Sequence, residues 1–189
     1  MMAAAYTGYA DEALVPLISK GYVAAFDELY SRYGQKMHSY FFRMLWKNRE
    51  LAEDLTQDLF VKVINHAEGF SADKNFSTWL YSIANNMCKN EYRKKEVRSQ
   101  HLQVVKPVEA VDAISPDMRR FREAVHSCTN ELPEEKKALY ILRFQENLSV
   151  PDISKILSIP EGTIKSRIFY LLKEMKHKLK EFETLSIYP

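Results

Sequence analysis

The sequence has few of the residues that interrupt helices or crosslink a chain. Only five glycines and seven prolines occur among 189 residues, which favours helix along most of the chain because these residues have the lowest helix propensities. Two cysteines, Cys88 and Cys128, are too few for a disulfide scaffold and are predicted to be reduced thiols of a cytoplasmic protein. No apolar run has the length of a membrane span and no signal peptide is recognised, so membrane insertion is not expected.

A large excess of charge of one sign is also missing. The formal net charge is only +2, which argues against a protein that coats nucleic acid through its overall charge, so any DNA binding must use local patches. A hydrophobic content of 46% with 28% charged residues indicates a chain that buries a core rather than remaining disordered.

Sequence signatures of the common enzyme classes are missing as well. The chain contains no H-E-x-x-H, C-x-x-C, G-x-x-x-x-G-K or G-x-S-x-G motif. Glu123 with His126, and Glu174 with His177, have the Glu-x-x-His spacing of a helical di-iron site, which also requires inward glutamates from two other helices. Glu174 and His177 lie among lysines that would repel a metal. We therefore predict neither catalysis nor a cofactor.

A helix-turn-helix is predicted near the end of the chain. Ser149 and Asp152 have the spacing of a capping box. The segment from Ser158 to Pro160 then breaks the helical period, and Pro160 is expected in the first turn of a second helix. An apolar stripe on that helix consists of Ile164, Ile168, Leu171, Leu172, Met175 and Leu179.

The first turns of this second helix are polar off the stripe. From Glu161 to Lys180, six Lys or Arg residues stand against two Glu. A recognition helix contacts base edges and phosphates from these turns, whereas an ordinary amphipathic hairpin would simply expose a solvated basic face. The residues in question are Thr163, Lys165, Ser166, Arg167 and Tyr170.

The N-terminal half is predicted to contain a short helix and a long aromatic one. Residues 1–10 show no periodicity and are expected to fray, and Asp11 to Ser19 is expected to be helical with Pro16 in its first turn. The long helix then carries a stripe predicted to be core: Ala25, Phe26, Leu29, Tyr30, Tyr33, Met37, Tyr40, Phe41 and Leu45.

The segment from Glu50 to His66 reads as a helix with two faces. Ala52, Leu55, Leu59 and Val63 form an apolar face, with Leu51, Phe60 and Ile64 beside it. The opposite face is either solvated or addressed to a basic partner surface. We call it the acidic strip, and it consists of Glu50, Glu53, Asp54, Gln57 and Asp58.

A polar loop at 66–75, with a cap expected at Asn75, precedes a helix from Phe76 to Arg98 whose end is basic. Helix dipoles favour cations at this end, but five basic residues exceed that need. Periodicity is then lost until Met118, where a helix is expected to run to Asn130, followed by another that starts at Pro133. The fold class is therefore all-α, with two small helical domains, 11–98 and 118–183, joined by a linker at 99–117.

Four segments resemble, in order and spacing, the motifs of the extracytoplasmic-function (ECF) group of RNA polymerase sigma factors. AEDLTQDLFVKV resembles the polymerase-docking helix of the family, and FSTWLYSIANNMCKNEYRKK resembles its promoter-melting segment. LPEEKKALYILRFQENLS and SVPDISKILSIPEGTIKSR resemble its C-terminal helices. The sequence departs from the family pattern at Asn90 (usually Asp), Lys137 (usually Arg), Ser158 (usually Gly) and Tyr170-Leu171-Leu172 (usually further arginines).

The resemblance implies an alternative sigma factor that binds core RNA polymerase and directs promoter-specific initiation. Residues 11–98 would bind polymerase and melt the −10 element, and residues 118–183 would bind the −35 element. The implied polymerase contacts are Asp54, Gln57, Asp58 and Phe60. The implied −10 contacts are Asn75, Trp79, Asn86, Lys89, Asn90, Arg93, Lys94 and Lys95, and the −35 contacts are Thr163, Lys165, Ser166, Arg167 and Tyr170.

The implied partners are the β and β′ subunits of core polymerase, promoter DNA and an anti-sigma factor. Two other classes stay open at this point: a DNA-binding regulator with a helical sensor domain, and a structural helical adaptor. Binding to core polymerase separates the sigma factor from both, and sequence-specific duplex binding by the C-terminal half separates the regulator from the adaptor.

Overall fold

The computed structural model describes residues 6–71, 73–98 and 116–182, without the side chains of 96–98. Every regular element within these ranges is helical, which confirms the all-α prediction. The elements of the first half are α1 (Asp11–Ser19), α2 (Val23–Met44), α3 (Arg49–His66) and α4 (Phe76–Arg98). Those of the second half are α5 (Pro116–Asn130), α6 (Glu134–Tyr140), a π-helical turn (Ile141–Gln145), α7 (Val150–Leu157), α8 (Glu161–Lys178) and a 3₁₀ turn (Lys180–Phe182).

Contacts divide the chain into two compact units. One comprises Met1–Val105 with Lys155–Leu157, and the other comprises Lys106–Ser154 with Ser158–Pro189. Most of the predicted linker, at 99–115, lies outside the described residues.

The first unit is built around α2, which packs against α1, α3 and α4. Its fully buried side chains come from all four helices because each one presents an apolar stripe at helical spacing. Among the largest of these are Leu14, Leu29, Met37, Tyr40, Phe41, Phe76, Leu59 and Leu80.

Two predictions for the first unit are wrong. Pro16 is the sixth residue of α1, past the first turn, because the helix begins at Asp11. Tyr30, predicted to be core, is 45% exposed. Ile64, expected beside the apolar face of α3, is exposed as well. Both residues lie at the edge of an apolar stripe, where helical spacing alone does not decide burial.

Residues 6–10 are also held rather than frayed. The Arg32 guanidinium donates to the carbonyl oxygens of Tyr6, Thr7 and Tyr9 at 2.9–3.2 Å, and to the Asp11 carboxylate at 2.6 Å. A single guanidinium, with five donors, therefore fixes residues 6–11 on α2.

In the second unit α6 packs against α8, and α5 contacts both. The core contains Leu139, Leu142, Ile153, Ile164, Leu171 and Met175. Leu172, predicted to be on the buried stripe, is instead 45% exposed. The helix that follows Pro133 becomes a π-helical turn, in which the Glu146 amide donates to the Ile141 carbonyl at 2.9 Å.

Candidate nucleic-acid and protein interfaces

The acidic strip lies on the solvent side of α3. The Asn48 side chain caps the helix by accepting the Leu51 amide at 3.0 Å. Before this helix, the chain reverses direction through Trp46 and Lys47, whose φ angles of 52° and 57° are left-handed. Burial lowers the pKa of Lys47. All five side chains of the strip are exposed. Within the described part of the chain, none of its four acids takes part in an ion pair or a side-chain hydrogen bond.

Phe60, predicted as a polymerase contact together with this strip, is buried, with only 2% of its surface exposed. Its ring packs edge-on against Tyr30 at 4.8 Å and Phe26 at 6.0 Å, measured between ring centroids. The side chain therefore fixes α3 on α2, and a direct contact of Phe60 with polymerase stays a prediction. The motif match placed Phe60 correctly along the helix but did not reveal its direction.

The N-terminus of α4 is tightly capped. The Asn75 side-chain oxygen accepts the Thr78 amide at 2.8 Å and the Thr78 hydroxyl at 3.1 Å, which confirms the predicted cap. The Glu12 carboxylate of α1 accepts the Phe76 amide at 2.8 Å. An anionic acceptor at a helix N-terminus is favourable, so α1 and Asn75 together fix where α4 begins. Asn75 remains exposed.

Several predicted −10 residues share one side of α4, which we call the α4 surface: Trp79, Asn86, Asn90 and Arg93. Their spacings of seven, four and three residues place them along one line of the helix. Asn86, Asn90 and Arg93 are exposed, with Lys89 half-buried beside them. Trp79 is half-buried against Phe70 of the preceding loop, with ring centroids 5.0 Å apart.

The two lysines predicted to hold phosphates already have partners within the chain. Lys94 forms an ion pair with Glu91, and the Lys95 ammonium lies 3.9 Å from the centroid of the Trp46 ring. Trp46 also packs against Tyr92, with centroids 5.0 Å apart. Sequence reasoning missed Trp46 because the contact joins the turn between α2 and α3 to the distant end of α4.

The helix-turn-helix opens at Ser149. Its hydroxyl accepts the Asp152 amide at 3.2 Å and donates to the Asp152 carboxylate. The side-chain pair of the predicted capping box is therefore present.

The turn between α7 and α8 is tight. Ser158 has a φ of 57°, a left-handed conformation that explains the glycine usual at this position of the motif. The Ser154 hydroxyl donates to the Ile159 carbonyl at 2.6 Å. Pro160 immediately precedes α8 rather than lying within its first turn, and its carbonyl accepts the amides of Thr163 and Ile164. The turn thus fixes the direction in which α8 leaves.

All five predicted −35 residues are exposed on α8, whereas Ile164 and Leu171 anchor the opposite side. The Ser166 hydroxyl donates to the Gly162 carbonyl at 3.0 Å. Tyr170 is 65% exposed and packs edge-on against the exposed Phe169. We call this set of five the reader surface: Thr163, Lys165, Ser166, Arg167 and Tyr170.

Three ion pairs tie α8 to the segment that precedes α7. Arg167 pairs with Glu135 at 3.0 Å, Glu174 with Lys136 at 2.5 Å, and Lys178 with Glu131 at 3.1 Å. The bond from Lys136 lowers the pKa of Glu174, and the bond to Glu131 raises the pKa of Lys178.

The di-iron alternative has no support in the part of the chain that the structure describes, where no group of three or more His, Cys, Asp or Glu residues is placed to hold a metal. Lys137 is buried, and its ammonium donates to the Asn130 carbonyl at 3.2 Å, at the end of α5. That bond accounts for a cation at this position.

Across the described ranges, no helix combines the length and the apolar character needed to cross a membrane.

Comparison with known proteins identifies the family. The pattern of "Sigma-70 region 2" matches residues 29–98, and that of "Sigma-70, region 4" matches residues 122–175. The RNA polymerase sigma-H factor of Pseudomonas aeruginosa is 32% identical over 171 residues, which cover 84% of this chain and 88% of the relative. The chain belongs to the sigma-70 family. The ECF RNA polymerase sigma-E factor of Haemophilus influenzae is 31% identical over 182 residues, covering 90% of this sigma factor and 95% of the relative.

Solved structures show the same fold. CnrH, in complex with the cytosolic domain of CnrY, has a TM-score of 0.68 at 20% identity and covers 90% of this sigma factor and 97% of its own chain. The sigma factor RpoE of Bartonella quintana, in complex with the anti-sigma factor NepR, has a TM-score of 0.68 at 22% identity. The match covers 82% of this sigma factor and 96% of the RpoE chain. The sigma-70 matches and the relatives at 31–32% identity show that the protein is an alternative sigma factor of the ECF group that directs transcription initiation.

Proposed function

We propose that this sigma factor binds core RNA polymerase through the acidic strip and recognises the −10 and −35 promoter elements through the α4 and reader surfaces. The two functional domains would be residues 11–98 and 118–183, and the protein would act in the cytoplasm by binding rather than by catalysis. The observation that carries the proposal is the geometry of α8. It exposes five polar or aromatic side chains in its first turns while its other side is anchored in a core.

Polymerase docking is assigned to Asp54, Gln57 and Asp58. These side chains are exposed, and the two carboxylates have no ion-pair partner among the described residues, so their charge is available to a basic surface on another protein. Phe60 contributes by holding α3 in place from the inside.

Holding of the melted −10 strand is assigned to α4 and the loop before it. A base leaving its stack costs a few kcal/mol, which a pocket of stacking and hydrogen-bonding groups offsets. Asn86 and Asn90 are exposed amides that can pair with base edges, and Arg93 lies one turn further on, within reach of phosphates. The contact between Trp79 and Phe70 holds the loop at 66–75 against α4.

Lys94 and Lys95 bind phosphates of the −10 strand and leave their partners within the chain, Glu91 and Trp46, to do so. In the pair with Glu91 the Lys94 side chain is 62% exposed, whereas that of Glu91 is only 16% exposed. The Lys94 ammonium is therefore accessible to a phosphate, which would compete with Glu91 for it. Asn75 acts at the same end of α4 as a cap and as an exposed polar group.

Recognition of the −35 duplex is assigned to the reader surface. Arg167 and Lys165 are the cations that contact guanine edges or phosphates. Thr163 and Ser166 add hydroxyls one turn apart, and Tyr170 adds an exposed ring at the far end of the set.

An anti-sigma factor is a further proposed partner. The structures of two proteins of the same fold were solved in complex with a bound protein, in one case an anti-sigma factor. An exposed acidic strip and an exposed basic helix on the free chain offer such a protein two targets of opposite charge.

Run-off transcription with core RNA polymerase, followed by mapping of start sites, tests the proposal. We expect initiation that depends on the added protein, at start sites preceded by shared −10 and −35 sequences. Binding to duplex DNA without any initiation would instead support the DNA-binding regulator. Failure of both assays would support the structural adaptor.

A further inference from the structure

Arg167, the central cation of the reader surface, is bound to an acid of its own chain. Its Nη1 donates to Oε2 of Glu135, in the first turn of α6, at 3.0 Å. The Arg167 side chain is 44% exposed and that of Glu135 is 73% exposed. Within the described residues this carboxylate is the only hydrogen-bond or ion-pair partner of Arg167. The pair therefore lies open to any ligand that approaches the reader surface.

Glu135 is not needed to hold α6 against α8. That packing is made by buried side chains, among them Leu139, Ile164 and Leu171. Two other ion pairs, Lys136–Glu174 and Lys178–Glu131, cross between the same segments. Because ion pairs this exposed contribute little to stability, the main effect of Glu135 is to offset the charge of Arg167.

DNA cannot keep both partners of this pair in place without cost. A phosphate or a guanine edge that accepts hydrogen bonds from Arg167 competes with the Glu135 carboxylate for the N–H groups of the guanidinium. A phosphate is in addition repelled by the negative charge of that carboxylate. If Glu135 acts through Arg167, removing its carboxylate should therefore tighten binding to DNA.

We propose that Glu135 competes with DNA for Arg167 and thereby sets the affinity of the −35 reader. The proposal rests on the proposed −35 function of α8. A weakened reader suits a protein that polymerase carries to the promoter, because a tethered contact acts at a high effective concentration and needs little affinity of its own. The same competition lowers the occupancy of nonspecific duplex DNA by the free protein.

The test compares Glu135→Gln with Glu131→Gln in the full-length protein. Each change removes one negative charge and retains a side chain of the same shape. Glu131 pairs with Lys178, eleven residues along α8 from Arg167 or about 16 Å. The probe is a labelled duplex of the −35 region taken from the mapped promoter, titrated at low salt. We expect Glu135→Gln to bind about two- to fivefold more tightly, the upper range for an exposed pair, and Glu131→Gln to match the wild type.

A double-mutant cycle with Arg167→Ala completes the test. If the competition is real, Glu135→Gln gains affinity in the wild-type background and gains nothing in the Arg167→Ala background. A gain that persists without Arg167, an equal gain from Glu131→Gln, or weaker binding by Glu135→Gln would each overturn the proposal. If Arg167→Ala itself binds like the wild type, Arg167 is not part of the −35 site, and the proposed competition fails with it.

Discussion

The acidic strip of α3 and the basic face of α8 differ in how their charges are balanced. Within the described residues, the four acids of the strip have no ion-pair partner. On α8, by contrast, Arg167 and Lys178 each pair with a glutamate from the segment that precedes α7. One surface keeps its full charge, and the other has part of its charge neutralised by its own domain.

Under the proposed assignments, this difference predicts that the acidic strip acts first. Unpaired charge steers diffusional encounter and raises the association rate with a surface of opposite sign. Neutralised charge gives a weaker field, so α8 is poorly suited to find DNA alone. The arrangement fits a sequence of events in which polymerase is bound through α3 and the promoter is read afterwards.

The largest expected effect tests the support of the acidic strip. Phe60→Ala should lower the free energy of unfolding of the first unit by about 3–5 kcal/mol, because it removes a buried ring that packs on Tyr30 and Phe26. Both tryptophans, Trp46 and Trp79, lie in this unit, so tryptophan fluorescence during urea unfolding reports on it. Phe60→Leu is the companion variant that should fold. If it loses polymerase affinity as strongly as a charge reversal in the strip, Phe60 is a contact residue after all.

The next effect concerns the unpaired charge itself. Reversing the charges of Asp54 and Asp58 to lysine should weaken binding to core polymerase by at least about 100-fold, or ~2.7 kcal/mol, because like charges then meet across the interface. The fold should be unchanged, since both side chains are exposed. Titration of labelled core enzyme measures the loss.

The matched control for this reversal changes two exposed acids of the other unit, Glu123→Lys with Glu181→Lys, and so shifts the net charge equally. If the control weakens polymerase binding as much as the Asp54 and Asp58 reversal does, net charge rather than the strip determines docking.

The contrast between the two surfaces also shows what a sequence reveals. Helical spacing and capping residues predicted α1 at the observed bounds, the cap at Asn75 and the two helices around Ser158. These features depend on neighbours within one or two turns. The exposure of the strip was predictable for the same reason, because its acids repeat on one side of α3.

Features that depend on contacts between helices were not predictable. Phe60 and Leu172 lie at the edges of apolar stripes, and only the position of a packed neighbour decides that Phe60 is buried and Leu172 is exposed. The Arg167–Glu135 pair joins residues 32 positions apart, and no periodicity relates them. The sequence therefore predicted where the surfaces are but not how their charges are offset.

A smaller effect is expected at the reader surface. Arg167→Ala should weaken binding to the −35 duplex by about 1–3 kcal/mol if Arg167 reads a base, with the loss confined to the cognate sequence. If Arg167 holds only a phosphate, the loss should be similar on all sequences and the salt slope should fall by about one unit. Anisotropy titrations at several salt concentrations separate the two cases. Arg120→Ala, an exposed arginine of α5, is the control, and equal losses from both variants would remove Arg167 from the site.

The smallest effect concerns the turn that aims α8. Ser158 has a β-carbon in a left-handed conformation, at φ 57°, which glycine adopts without that strain. Ser158→Gly should therefore stabilise the second unit by about 0.5–1 kcal/mol, the relief of strain being partly offset by the greater freedom of glycine in the unfolded chain. Ser158→Ala retains the β-carbon and should give no gain. Because neither tryptophan lies in this unit, amide hydrogen exchange along α8 is the suitable measurement. Slower exchange in the glycine variant alone is the expected result, and equal protection in both variants would show that the turn is not strained.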